Sequence, residues 1–115
     1  MAVSEFELHQ WKSEMERFLQ RKRPPPHLRA QLDLAYRIEG QSIEIFEIRP
    51  RFSDPNTLVE EPVAKATYVK SRGRWRIYWM RADFKWHAYR PVPDVSRLGD
   101  FLAEVEKDEY ACFYG

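Results

Sequence analysis

The chain has 115 residues, 43% of them hydrophobic and 15% aromatic, which suits one domain over residues 1–115 and is too short for two separate cores. Its formal net charge of +1 excludes a protein that is basic overall, and apolar runs such as Ile77–Met80 are far shorter than the roughly 20 residues of a membrane-spanning helix. The four scattered glycines exclude the glycine-rich loops that hold nucleotide phosphates.

The N-terminal segment has the marks of a helix over residues 4–22. Ser4 is a suitable N-cap, and Glu7 stands at the position that closes a capping box. Apolar residues at helical spacing form one stripe: Leu8, Trp11, Met15, Phe18 and Leu19. Three successive prolines, Pro24–Pro26, end this helix and predict a stiff connector, because each ring fixes the backbone φ angle.

From Ala30 the apolar period changes to two, which predicts a half-buried strand up to Ile38. A turn at residues 39–42 contains Gly40, and residues 43–52 continue as the second strand of a hairpin. The alternation slips where two large apolar residues, Ile45 and Phe46, are adjacent. This slip predicts a β-bulge.

Residues 53–62 are predicted to form a polar loop, since they combine prolines with acidic side chains. A second hairpin is predicted from residues 63–70 and 74–82, joined by a turn at Gly73, and residues 84–90 add a fifth strand. All the connections are too short for parallel crossovers, so the sheet is expected to be an antiparallel meander.

A short second helix is predicted to begin near Asp94 or Ser96. Its buried face would consist of Leu98, Phe101, Leu102 and Val105. The aromatic tail, residues 108–115, is expected to dock on the body or on a second subunit. The expected fold is therefore α+β: an N-terminal helix packed on a four- to five-stranded antiparallel sheet, with a short C-terminal helix and a docked tail.

The charges are unevenly distributed along the chain. Residues 70–90 carry seven Lys or Arg against one acid, Asp83, whereas residues 94–109 carry six acids against two cations. The basic segment is thus a candidate contact for an anionic partner. In the alternative interpretation, the two blocks meet in the fold and neutralise each other.

A strand over the basic segment would place Arg74, Arg76 and Tyr78 on one face and the tryptophans on the other. Guanidinium groups beside exposed rings can hold phosphates and stack bases, which is typical of single-stranded nucleic-acid binding. The candidate binding residues are Arg72, Arg74, Arg76, Trp79, Arg81, Lys85, Trp86, His87 and Arg90. The competing interpretation pairs Arg74 and Arg76 with acids such as Glu44 or Glu47 and uses the tryptophans as core.

His87 lies close in sequence to Asp83, and a histidine held by a carboxylate can act as a general base. This supports a second hypothesis, a small enzyme with a pocket formed by Trp79, Trp86 and Tyr89. No nucleophile motif such as GxSxG accompanies it, so a non-catalytic role is favoured.

The three histidines and Cys112 are scattered singly, so neither a metal site nor a cofactor is predicted. The single Cys112 cannot form an internal disulfide, and Glu5 and Glu7 interrupt any secretory leader, so a cytosolic location is expected. A third hypothesis is a structural adaptor or homodimer that uses the aromatic tail.

Six segments combine into one recognisable pattern: Asp33–Gly40, Ile45–Pro50, Val63–Ala66, Trp75–Arg81, Trp86–His87 and the terminal Asp108–Gly115. Over residues 24–115 the chain resembles a small bacterial family known only as a domain of unknown function, DUF3024. The resemblance implies a complete, stand-alone bacterial cytosolic protein, because the terminal motif falls at the end of the chain. It implies no activity, substrate or catalytic residue.

Overall fold

The computed structural model describes residues 3–114, which form one six-stranded antiparallel sheet and two helices. The helices are α1 (Glu5–Lys22) and α2 (Leu98–Lys107), and a short 3₁₀ turn covers Pro26–Leu28. The strands are β1 (Asp33–Glu39), β2 (Ser42–Arg51), β3 (Asp54–Val69), β4 (Arg74–Met80), β5 (Trp86–Ala88) and β6 (Asp94–Val95). The predicted α+β architecture is confirmed, with six strands. Neither helix within residues 3–114 has the length and apolar character needed to cross a membrane.

Helix α1 begins where the capping box predicts. The Ser4 Oγ accepts the backbone N–H of Glu7 at 3.1 Å, and the Glu7 carboxylate accepts the backbone N–H of Ser4 at 3.3 Å. Trp11, Met15 and Phe18 are buried on the face that packs against the sheet. The predicted apolar stripe therefore anchors this helix to the core.

The strands follow one another as a meander from β1 to β5. Both hairpin glycines adopt the left-handed conformation, with φ of +57° at Gly40 and +59° at Gly73. The register of β2 against β3 shifts between Ile45 and Phe46, so a bulge lies at the predicted place, but the extra residue is Val63 of β3, because Ile45 faces Ala64 and Phe46 faces Pro62. Strands β5 and β6 lie end to end along the same edge of β4.

The predicted polar loop over residues 53–62 is wrong. Strand β3 already begins at Asp54, and Leu58 and Glu60 are register partners of Pro50 and Ile48 in β2. Strand β4 pairs only with residues 65–69 of β3. The other edge of β3 is therefore open over its first half, where a proline costs no ladder hydrogen bond. The prolines and acids that indicated a loop are typical of such an edge.

The segment after β4 also departs from the prediction. The fifth strand shortens to Trp86–Ala88, and Asp94 does not start the second helix but lies in β6. Its carboxylate accepts a hydrogen bond from the Arg74 guanidinium, so it is not free to cap a helix. Helix α2 starts later, with Arg97 at the N-cap and no side-chain cap.

The core lies between the helices and one face of the sheet. The Trp75 ring is 4.7 Å from the Trp11 ring and 5.1 Å from the Tyr68 ring, centroid to centroid. Helix α2 buries Phe101 and Val105 in the same cluster. These contacts fix the buried face of β4 against the helices.

The C-terminal tail docks on the body as expected. Phe113 is 5% exposed and its ring lies 4.7 Å from that of Tyr89. The Asp108 carboxylate accepts the backbone N–H groups of Phe113 and Tyr114, both at 3.0 Å. Tyr110 remains exposed, and Gly115, the end of the predicted tail, lies outside the described residues.

Candidate functional site

Strand β4 separates the predicted site residues between its two faces. Trp75 and Ile77 are buried on the helix side, whereas Arg74 and Arg76 are exposed on the other side. Trp79 lies on the same face of β4 as Trp75 and Ile77, and it is the register partner of His87 in β5. The alternation of apolar and cationic side chains along β4 is thus as the sequence predicts.

A cleft of about 350 Å³ lies on the helix side, at the edge of the sheet formed by β5. Strand pairing places Trp79 beside His87, and the Arg81 guanidinium carbon lies 5.5 Å from the centre of the Trp79 ring. The cleft is lined by Trp79, Arg81, His87, Ala88, Arg90, Pro91 and Cys112. Its volume lies at the lower end of the range for small-ligand sites.

His87 and Asp83 form a hydrogen-bonded pair at this cleft, with the ring Nε2 2.8 Å from the Asp83 Oδ2. The hydrogen bond to His87 lowers the pKa of Asp83 most; partial desolvation opposes this shift, and the backbone N–H of Lys85 lowers it further. Asp83 is therefore ionised near neutral pH, so Nε2 carries the hydrogen that it donates. The other ring nitrogen, Nδ1, takes no part in this contact.

Most cations of the basic segment have no acidic partner among the described residues. Arg74 pairs with Asp94, and the Lys70 ammonium lies 3.8 Å from the Glu7 carboxylate. No ion pair within residues 3–114 involves the remaining five, all of them exposed: Arg72, Arg76, Arg81, Lys85 and Arg90. Within that range, mutual neutralisation of the basic and acidic segments is limited to the pair Arg74–Asp94.

The opposite face of the sheet carries a second group of cations and rings. Trp86 is the register partner of Met80, and the Lys65 ammonium lies 5.8 Å from the ring centres of both Tyr78 and Trp86. Arg76 is exposed on this face. Trp86 and His87 therefore point to opposite sides of β5, although they are adjacent in sequence.

The predicted aromatic pocket of Trp79, Trp86 and Tyr89 is wrong. Only Trp79 lines the cleft, because Trp86 lies on the other face and Tyr89 is buried. Burial raises the pKa of Tyr89 to about 12, so this phenol stays neutral. The structure thus brings together four predicted residues in one cleft: Trp79, Arg81, His87 and Arg90.

The remaining predicted residues lie apart from the cleft. Arg72 is in the turn before β4, and the two ends of that strand, Arg74 and Met80, are about 20 Å apart at the usual strand rise. Lys85 lies in the turn between β4 and β5, near the cleft but not lining it. The nine residues therefore do not form one continuous patch.

Cys112 completes the cleft from the docked tail, and its thiol lies 3.8 Å from the Tyr110 carbonyl oxygen. Burial, followed by the charge of Asp108, raises the pKa of the Cys112 thiol. A thiol with a raised pKa is a poor nucleophile and a poor metal ligand at neutral pH. Across residues 3–114, no three His, Cys, Asp or Glu side chains are grouped so that they could hold a metal ion.

The fold and the cleft define a small α+β domain with an open antiparallel sheet and a cationic, aromatic edge. The chain belongs to the family described as a domain of unknown function, DUF3024, whose sequence profile matches residues 3–115. No curated protein and no solved structure matches the chain.

Proposed function

We propose that this domain is a non-catalytic binding module for single-stranded nucleic acid and that its cleft holds a phosphate group. The guanidinium groups of Arg81 and Arg90 and the ring of His87 line the cleft together. Guanidinium groups form short, strong hydrogen bonds to phosphate oxygens, and each can form two at once. Asp83 is already engaged by His87, which reduces its repulsion of an incoming anion.

The observation that carries this proposal is the pair of unmatched arginines. Neither Arg81 nor Arg90 forms an ion pair with a described residue, although the chain contains almost as many acids as cations. Two like charges that line one cleft repel each other, and the contacts that offset this repulsion, the Trp79 ring and the charge of Asp83, act on Arg81. A bound phosphate removes that repulsion, so the arrangement is stabilised by an anionic ligand.

The decisive experiment measures the affinity for a fluorescent single-stranded oligonucleotide by anisotropy, over a series of salt concentrations. The wild-type domain is expected to bind at low ionic strength. The logarithm of its association constant should fall linearly as the logarithm of the salt concentration rises. Arg81→Ala and Arg90→Ala should each bind about tenfold more weakly, since each removes a charged hydrogen-bond donor. Each substitution should also reduce the slope of log affinity against log salt by about the amount that one phosphate contact contributes.

Arg72→Ala is the matched control, because it removes the same charge from the same basic segment but at the opposite end of β4. We expect its affinity to stay within about twofold of wild type, apart from a weak long-range electrostatic effect. Equal losses for Arg72→Ala and Arg81→Ala would show that the cleft is not the binding site. Absence of binding at low salt would overturn the proposal altogether.

The His87–Asp83 pair favours a second candidate function, an enzyme that acts on the bound anion. An ionised carboxylate that orients an imidazole in a cationic cleft is a suitable general acid or base. If this candidate is right, the wild-type domain slowly cleaves a bound oligonucleotide. His87→Gln should then abolish cleavage without weakening binding more than about tenfold. Gel analysis after long incubation measures this; an intact oligonucleotide at all times argues for binding alone.

We further propose a reducing compartment, the bacterial cytosol, and assembly as a homodimer. The free, half-buried Cys112 thiol supports the first proposal. The fully exposed Phe52 ring at the end of the β2–β3 hairpin, and Leu58 nearby, support the second, since large exposed apolar side chains are typical of contacts between subunits.

A further inference from the structure

The turn between β4 and β5 holds a phenylalanine in an unfavourable backbone conformation. The Phe84 N–H donates to the Arg81 carbonyl oxygen at 2.9 Å, and the Arg81 N–H donates to the Lys85 carbonyl oxygen at 3.2 Å, which closes the hairpin. This geometry requires φ of +60° at Phe84. Glycine or asparagine normally occupies such a left-handed position, because a bulky side chain there is strained.

The Phe84 side chain gains nothing for the fold in return. It is 88% exposed and lies outside the hydrophobic core. Phe52, the other fully exposed phenylalanine of a hairpin turn, has no positive φ and therefore no such strain. A strained, solvent-exposed ring is typical of a residue retained for binding.

The sequence neighbours of Phe84 connect it to the cleft. The next residue in sequence is Lys85, which is cationic and exposed, and the preceding residue is Asp83, which is hydrogen-bonded to His87. Arg81 begins the same turn and lines the cleft. Phe84 thus lies in the turn that connects two residues lining the cationic cleft, Arg81 and His87.

We propose that Phe84 is a base-stacking residue, so that the ligand is a nucleic acid with an unpaired base next to the phosphate held by Arg81 and Arg90. This inference rests on the proposed function. An aromatic ring in water gains most by covering the flat face of a nucleobase, and such stacking depends little on which base is present. In a duplex the faces of the bases are already covered, so the site selects single strands.

The test compares Phe84→Gly with the wild-type domain on three probes of equal length: a single-stranded oligonucleotide, the same strand with abasic sites, and a duplex. Phe84→Gly is expected to bind the base-bearing single strand about tenfold more weakly. Its affinity for the abasic strand should stay within about twofold. Phe84→Trp, which keeps a ring, should retain the wild-type affinity, and the wild-type domain should bind the duplex more weakly than the single strand.

Thermal unfolding of the same variants separates a binding role from a structural one. Because glycine relieves the positive φ, the melting temperature of Phe84→Gly should be unchanged or raised by about 1–5 °C. Weaker binding by a variant that is at least as stable cannot result from unfolding. A melting temperature several degrees below wild type would instead assign the ring a structural role and overturn the inference.

The outcomes also distinguish the two proposals. If the wild-type domain binds the base-bearing and abasic strands equally well and Phe84→Gly changes neither affinity, base stacking is wrong while phosphate binding in the cleft stands. If Arg81→Ala and Arg90→Ala leave every affinity unchanged, the proposed function is wrong, and base stacking by Phe84 is wrong with it.

Discussion

Trp75→Ala is expected to lower the free energy of unfolding by about 3–5 kcal/mol. Trp75 is 3% exposed, and its ring contacts Trp11 of α1 and Tyr68 of β3. Alanine leaves a cavity where helix and sheet meet and removes both aromatic contacts. A domain of this size has a total stability of only about 5–15 kcal/mol, so the variant is close to unfolding. Urea unfolding followed by circular dichroism measures the loss.

Trp86→Ala is the control for this prediction, because it removes the same side chain from the face of the sheet that the helices do not cover. Trp86 is half-buried and its ring lies 5.8 Å from the Lys65 ammonium. The expected loss is about 1 kcal/mol, from a partial loss of apolar contact and one cation–π interaction. Similar losses for the two variants would contradict the placement of the core on one face only.

Local sequence signals predict the parts of the fold in which short-range contacts decide the structure. The capping box of Ser4 and Glu7 forms as its spacing predicts, since both hydrogen bonds lie within one helical turn. The adjacent apolar residues Ile45 and Phe46 coincide with the bulge, but they do not share a face: Ile45 belongs to the core cluster, whereas Phe46 lies outside it beneath the Arg37 guanidinium. The extra residue of the bulge is Val63 in the partner strand β3.

The signals fail where a tertiary contact overrides them. Pro55 and Pro62 would exclude a strand if neighbouring strands used the backbone N–H groups on both of its edges. One edge of β3 has no neighbour over this segment, so the missing N–H groups cost no hydrogen bond there. Asp94 has the chemistry of a helix cap, yet its carboxylate binds Arg74 across the sheet instead. Neither choice is visible in the local sequence, since each depends on which strands become neighbours.

The candidate site was predictable to a similar degree. Strand alternation predicts which of Trp75, Arg76 and Trp79 share a face, and the sequence separation of Asp83 and His87 suggests their contact. Cys112 lines the cleft because of how the tail docks, and the spacing of apolar residues in the sequence does not predict that docking. The left-handed conformation of Phe84 has no sequence signal either, because the residue usual at that position is glycine or asparagine.

Phe113→Ala is expected to lower the free energy of unfolding by about 3 kcal/mol and also to weaken nucleic-acid binding several-fold. The Phe113 ring packs on Tyr89, which lies between the cleft residues His87 and Arg90 in sequence. Losing this anchor releases the tail that carries Cys112, so one wall of the cleft becomes mobile. Urea unfolding and anisotropy at a temperature where the variant is folded measure the two effects.

Tyr110→Ala is the matched control within the same tail, because this ring is 59% exposed and contributes little apolar burial. We expect a stability change of at most about 0.5 kcal/mol and an unchanged affinity. If Phe113→Ala lowers stability but leaves affinity unchanged, the tail supports the fold without shaping the cleft. If both variants behave like wild type, the docked position of the tail is wrong, since a buried aromatic ring cannot be removed without a loss of stability.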